Sequence, residues 1–100
     1  MNTGIGSSDR KAVQLSGRFD FSMLRAFKAM YEPLLTDKAV RVIEVNLARV
    51  EYIDSTALGM LLTLREKAKD AQKRVVLSHC TGTPRDVLEV ASFGKLFEIQ

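Results

Sequence analysis

Residues 11–15 alternate between faces, with Val13 and Leu15 on one side and Gln14 on the other, the period-two pattern of a half-buried strand that Ser16-Gly17 is expected to close. From residue 22 the period lengthens. Met23, Leu24, Phe27, Met30 and Tyr31 recur at helical spacing, with Asp20 and Ser22 as alternative N-caps. Pro33 disfavours helix at Glu32, so this helix is predicted to run to about residue 31 or a little beyond. Val40, Val42, Ile43, Val45 and Leu47 then form a β-branched run, interrupted at Asn46, that reads as a central strand. Tyr52-Ile53-Asp54 returns briefly to strand or turn. A second helix follows over about 55–70, with Ala57, Leu58, Leu61, Leu62, Leu64 and Ala68 on one broad face. Met60 and Thr63 fall outside that face, which predicts an exposed Met60 beside Ser55.

Val75-Val76-Leu77 is a short buried strand ending at Ser78-His79-Cys80. Thr83-Pro84-Arg85-Asp86 reads as a helix start, with Thr83 as cap, proline at the first helical position and a carboxylate in the first turn, where the helix dipole favours one. Val87, Leu88 and Ala91 give its inward face, and Gly94 is the expected terminator. Leu96, Phe97 and Ile99 suit a last edge strand. Residues 1–10, with Gly4, Gly6, Ser7 and Ser8, are expected to be flexible or to hold one short edge strand around Ile5.

Alternation of strand and helix favours parallel neighbours covered by helices. The expected fold is a small α/β sandwich: a mixed, mostly parallel sheet of about four to five strands, with three main helices largely on one face. One hundred residues fit a single domain over 1–100, and 46% hydrophobic with 27% charged residues matches a globular chain. The net charge of +3 comes from 15 basic and 12 acidic residues, and the basic ones are spread along the sequence instead of forming a run. This gives no support to direct nucleic-acid binding. A lone cysteine, Cys80, and a start without an apolar signal core point to a reducing cytoplasm, with no membrane insertion. No apolar stripe remains once the core faces are assigned, so the free chain is expected to be a monomer.

The inventory for catalysis is thin. His79 and Cys80 are the only histidine and cysteine, no spacing suits a metal site, and neither a phosphate-binding loop nor a nucleophile elbow occurs. No catalytic residue, metal or cofactor is expected. The segment that stands out is Asp54-Ser55-Thr56-Ala57-Leu58-Gly59, where two hydroxyls follow a carboxylate as strand turns to helix. Two readings are open: ordinary N-capping, for which Asp and Ser are favoured, or a phosphorylation switch, because a phosphate is tolerated at a helix N-terminus and would disturb a close interface.

These residues carry a resemblance. Leu15-Ser16-Gly17-Arg18-Phe19-Asp20, the strand over 42–47, the Asp54-Ser55-Thr56 signature and Ser92-Phe93-Gly94 near the end together resemble the STAS domain family, in particular its stand-alone bacterial anti-sigma factor antagonists. The resemblance implies a non-enzymatic switch that binds an anti-sigma factor with serine kinase activity and so releases a sigma factor. It further implies phosphorylation of Ser55 by that kinase and resetting by a PP2C-type phosphatase. Asp20, Asp54, Ser55, Thr56, Gly59 and Met60 become the candidate partner-binding residues. Ala57 departs from the glycine usual there. The alternative within the same family is an accessory subunit docked on the ATPase of an ABC transporter.

Overall fold

A computed structural model describes residues 9–100, so the expectation of a short N-terminal strand around Ile5 lies outside the described residues. The elements are β1 (Arg10–Phe19), a 3-10 turn (Phe21–Met23), α1 (Leu24–Thr36), β2 (Val42–Ile53), α2 (Ser55–Asp70), β3 (Arg74–Ser78), α3 (Gly82–Val90), a second 3-10 turn (Phe93–Lys95) and β4 (Glu98–Ile99). The four strands make one parallel sheet in the order β1-β2-β3-β4. Each crossover therefore steps one strand in the same direction, and right-handed connections then put every helix on the same side.

Side-chain burial agrees with that placement. Val13, Leu15, Ile43, Val45, Leu47 and Leu77 share one sheet face and join Phe27 and Tyr31 of α1, Leu61 and Leu64 of α2 and Leu88 of α3 in one apolar cluster. Phe19, Phe27 and Tyr31 meet edge to face, with ring centroids 5.2 and 5.0 Å apart, which ties the end of β1 to α1. The opposite sheet face carries a polar network beside the buried Val76. There Glu44 accepts hydrogen bonds from Ser78 Oγ and, at 3.0 Å, from Arg10 Nε, while Gln100 links Arg10 to Glu98, which pairs with Arg74.

Several predicted boundaries move. Ser16-Gly17 does not end β1, which continues to Phe19 with Gly17 at φ +72°. The interruption at Asn46 and the separate return at Tyr52 are parts of a single twelve-residue strand. Buried positions in β2 advance by two through Ile43, Val45 and Leu47 and then by three to Val50 and Ile53. Each step of three inserts one extra residue against β1, and the pairing register slips in the same two places. Asn46 Oδ1 accepts the Ala48 N–H at 2.9 Å and so supports the first irregularity.

α1 runs through Pro33 to Thr36, because Leu34 and Leu35 on the turn that contains it rest against the core. α3 starts at Gly82 with Thr81 in the capping position, so Thr83 is not the cap and Pro84 lies third, buried against the body of the protein. Met30 and Ala91, expected inward, are exposed. α3 ends before Gly94, and the left-handed reversal falls on Ser92 at φ +59°.

Two predictions follow from this architecture. Gly17→Ala forces a side chain into a left-handed conformation and should destabilise the chain by about 1 kcal/mol in urea denaturation. The hydrogen bond from Ser78, opposed by partial burial and aided by Arg10, holds the Glu44 carboxyl below its ordinary value. Its stabilising contribution is therefore complete above the usual carboxylate range and is lost as the pH falls through the lowered value. Glu44→Gln should lower stability by about 1–2 kcal/mol at pH 7 and by much less at pH 3 in paired urea titrations.

Candidate functional site

The candidate residues gather at the carboxyl end of the sheet. Phe19 and Ile53 are register partners, so Asp20 and Asp54, the next residue on each chain segment, leave neighbouring strands at the same level. Adjacent strands lie about 4.8 Å apart. The two carboxylates do the same local work. Asp20 caps the turn leading into α1 by accepting from Ser22 N at 3.0 Å and Ser22 Oγ at 2.6 Å. Asp54 caps α2 by accepting from Ala57 N at 2.9 Å.

The Ser22 hydroxyl, then its backbone N–H, and finally the Arg18 guanidinium 3.5 Å away hold the Asp20 carboxyl below its ordinary value. Arg18 also lies over the Tyr52 ring, 4.2 Å from its centroid, so the pair on the last turns of β1 and β2 steadies one side of Asp20.

With Asp54 in the cap, Ser55 is the first residue of α2 and its side chain is exposed. Among the described residues no hydrogen bond engages its hydroxyl. The first-turn N–H groups of Ser55 and Thr56 have no helical acceptor, and they give the surroundings of Ser55 Oγ a partial positive charge. An oxyanion attached there would lie beside those donors, while Asp54 opposes it with like charge.

Ser55 borders an apolar groove of about 360 Å³ between α2 and α3, lined also by Leu58, Asp86, Val87, Val90 and Ala91. Val90 is 88% exposed. This surface escaped the sequence reading, although Val87 and Val90 flank the buried Leu88 and are spaced to share a second, outward stripe. Thr56 points to the other side of α2, into a groove between α1 and α2 that Phe21, Leu24 and Met60 also line.

Two candidate residues sit differently from expectation. Met60 is buried, 7% exposed, because α1 covers the side of α2 between Ala57 and Leu64 on which it falls. It forms part of a groove floor and not an exposed contact beside Ser55. Gly59 lies within α2 and not in a loop, one turn after Ser55, and lines the groove on the α1 side with Thr56 and Met60. A Cβ there would meet nothing within 4 Å. The protein's own packing gives no reason for glycine at this position.

No group of three or more His, Cys, Asp or Glu side chains among the described residues is arranged to hold a metal ion. No described helix is long and apolar enough to cross a membrane. His79 is exposed at the end of β3, and Cys80 is buried, with burial raising its thiol above the ordinary value.

A singly wound parallel sheet with helices on one face, and an exposed serine after a capping aspartate at its carboxyl end, together define a STAS-type α/β domain. The chain belongs to the STAS domain family, for the family model described as "Mlab, STAS domain" matches residues 5–98. A STAS-domain containing protein of Pseudomonas aeruginosa (strain UCBPP-PA14) is 35% identical over 99 residues, covering 97% of this chain and 96% of that protein. The anti-sigma factor antagonist SpoIIAA in its unphosphorylated form has the same fold, with a TM-score of 0.70 at 21% identity over 100% of this chain and 83% of that one. SpoIIAA from Bacillus in its phosphorylated form superposes with a TM-score of 0.68 at 20% identity, covering 93% of this chain and 84% of that one. A sulfate transporter family protein from Wolinella succinogenes shares the fold with a TM-score of 0.74 at 18% identity, over 87% and 70% of the two chains.

The division of labour between Asp54 and Ser55 predicts distinct substitution effects. Asp54→Ala should cost about 1 kcal/mol through loss of the cap, whereas Ser55→Ala should stay within about 0.5 kcal/mol of wild type. Gly59→Ala should stabilise the isolated protein by about 0.5–1 kcal/mol. Denaturant midpoints of the three variants check all three expectations.

Proposed function

We propose that this STAS domain is a non-enzymatic partner-binding switch, an anti-sigma factor antagonist whose binding is turned off by phosphorylation of Ser55. The observation that carries the reading is the Ser55 hydroxyl itself: it is exposed, the cap does not use it, and it borders an apolar groove. An unmodified Ser55 leaves that groove open to a partner surface. A phosphate adds about −1.5 to −2 charges at its rim, beside Asp54, and opposes an apolar or acidic contact there.

In this reading the partner is an anti-sigma factor with serine kinase activity, held by the unphosphorylated domain so that a sigma factor or another output protein is freed. Asp20 and Asp54 present carboxylates to the kinase, and Gly59, one turn along from Ser55, allows a close backbone approach. Thr56 and Met60 line the groove on the α1 side of α2. A PP2C-type phosphatase removes the phosphate. The domain acts in the cytoplasm, as a monomer when free, without metal or cofactor. That SpoIIAA has been solved in phosphorylated and unphosphorylated forms supports the reading by fold likeness.

A second reading rests on the groove alone. Leu58, Val87 and the exposed Val90 would serve equally as a permanent docking face, as an accessory STAS subunit on an ABC transporter ATPase requires. Affinity capture from native lysate with wild type, Ser55→Ala and Ser55→Asp as baits separates the two. The switch predicts a kinase-like anti-sigma factor on wild type and Ser55→Ala, its loss from Ser55→Asp, and phosphate on wild-type Ser55. A membrane ATPase captured equally by all three baits would contradict the switch and support permanent docking.

A further inference from the structure

Tyr31 of α1 is a core side chain whose polar end has no partner. It is 1% exposed, and among the described residues its hydroxyl makes no hydrogen bond. The ring packs edge to face on Phe27 with centroids 5.0 Å apart, a contact that phenylalanine would make equally well. Packing accounts for the ring and not for the hydroxyl, since a buried tyrosine O–H ordinarily finds an acceptor. Burial raises this hydroxyl above its ordinary value, against the opposing charge of Lys28, so at neutral pH it is protonated and able to donate.

Tyr31 lines the groove of about 400 Å³ between α1 and α2. Both helices follow neighbouring parallel strands and so run in the same direction. Along α2 the groove reaches from Thr56 to Lys67, which is about three turns or about 16 Å. Phe21, Leu24, Phe27 and Met60 supply its apolar stretch, and Thr63 turns its hydroxyl back onto the Gly59 carbonyl at 3.1 Å. The charged side chains in the lining are Lys28 and Lys67, with no carboxylate among them. Neither lysine makes an ion pair among the described residues. Lys67 Nζ lies 5.8 Å from the centroid of the Tyr31 ring, and Lys28 is on the preceding turn of α1. Lys67 also suits the carboxyl end of α2, but Lys28 lies within α1, where the helix dipole gives no reason for a cation.

We propose that this groove binds an organic monocarboxylate with an extended apolar tail. The carboxylate accepts a hydrogen bond from the Tyr31 hydroxyl beside the ammoniums of Lys28 and Lys67, and the tail lies along Leu24, Phe27 and Met60 towards Phe21. One hydroxyl and two ammoniums furnish donors for a single carboxylate, whereas the longer, apolar part of the groove offers nothing to a wholly polar anion. The volume falls within the roughly 300–1,000 Å³ of small-molecule sites, which are mostly apolar with a few orienting polar groups. The proposal does not rest on the partner-switch reading, because the ligand meets the isolated chain.

Isothermal titration of the full chain with decanoate tests it. Saturable binding with a Kd below about 1 mM is expected. Acetate, which has the same head without the tail, should bind at least about a hundredfold more weakly. Decyltrimethylammonium, with the same tail and the opposite charge, should bind at least about tenfold more weakly. Tyr31→Phe keeps the ring packing, so it should melt with the wild type while binding decanoate about tenfold more weakly. Lys28→Gln should also weaken decanoate, and Arg25→Gln, the same loss of charge on α1 outside the groove, should leave it unchanged. Absence of saturable decanoate binding would overturn the proposal. Wild-type affinity in Tyr31→Phe, an equal loss in Arg25→Gln, or equal affinity for acetate or for the cationic analogue would overturn it as well.

Discussion

The parallel pairing of Phe19 with Ile53 brings two chain reversals to one place. Each reversal ends a strand, starts a helical turn and needs an acceptor for its first N–H groups, and each uses an aspartate. The pairing thus sets Asp20 beside Asp54 as a consequence of helix capping. The buried Phe19, Phe27 and Tyr31 rings hold the first of these ends, and Ile53 and Ala57 hold the second. The site is built on the two longest strands of a rigid sheet.

Because Asp54 satisfies the helix start, Ser55 carries no structural duty. A hydroxyl in that position can be modified without withdrawing a hydrogen bond from the fold. The nearby donors and the exposed α2/α3 groove give such a modification something to change. Gly59 fits the same logic, for a glycine that costs helix stability and clears no internal clash makes sense at a surface where another backbone must come close. The opposite end of the molecule has a different character. There Arg65 and Lys69 of α2 converge with Lys73 and Arg74 at the entry to β3.

Element order and the α2 limits were legible in the sequence, since α2 has a continuous helical stripe, an aspartate before it and no proline. β2 was not, because its alternation breaks phase twice where residues are inserted against β1, and a pattern of period two reads such breaks as ends. The pattern places the end of α1 at about residue 31 or a little beyond, because local preference works against Pro33, which Leu34 and Leu35 override by packing. Ser55 and the two aspartates could be picked from capping chemistry and family likeness. The fate of Met60 could not, since it depends on which side of α2 is covered by α1. The gathering of these four cations was likewise invisible, as residues 65 and 69 reach residues 73 and 74 only after the chain turns from α2 into β3.

The central claim is that Ser55 is free to change charge without cost to the fold while that change controls binding. Protein carrying phosphoserine at position 55 should melt at or slightly above the temperature of the unmodified protein, because the phosphate meets a capped helix start, and should fail to hold the partner captured by the unmodified form. A phosphorylated protein that retains the same partner with undiminished affinity, or that loses its folded structure, would contradict the account.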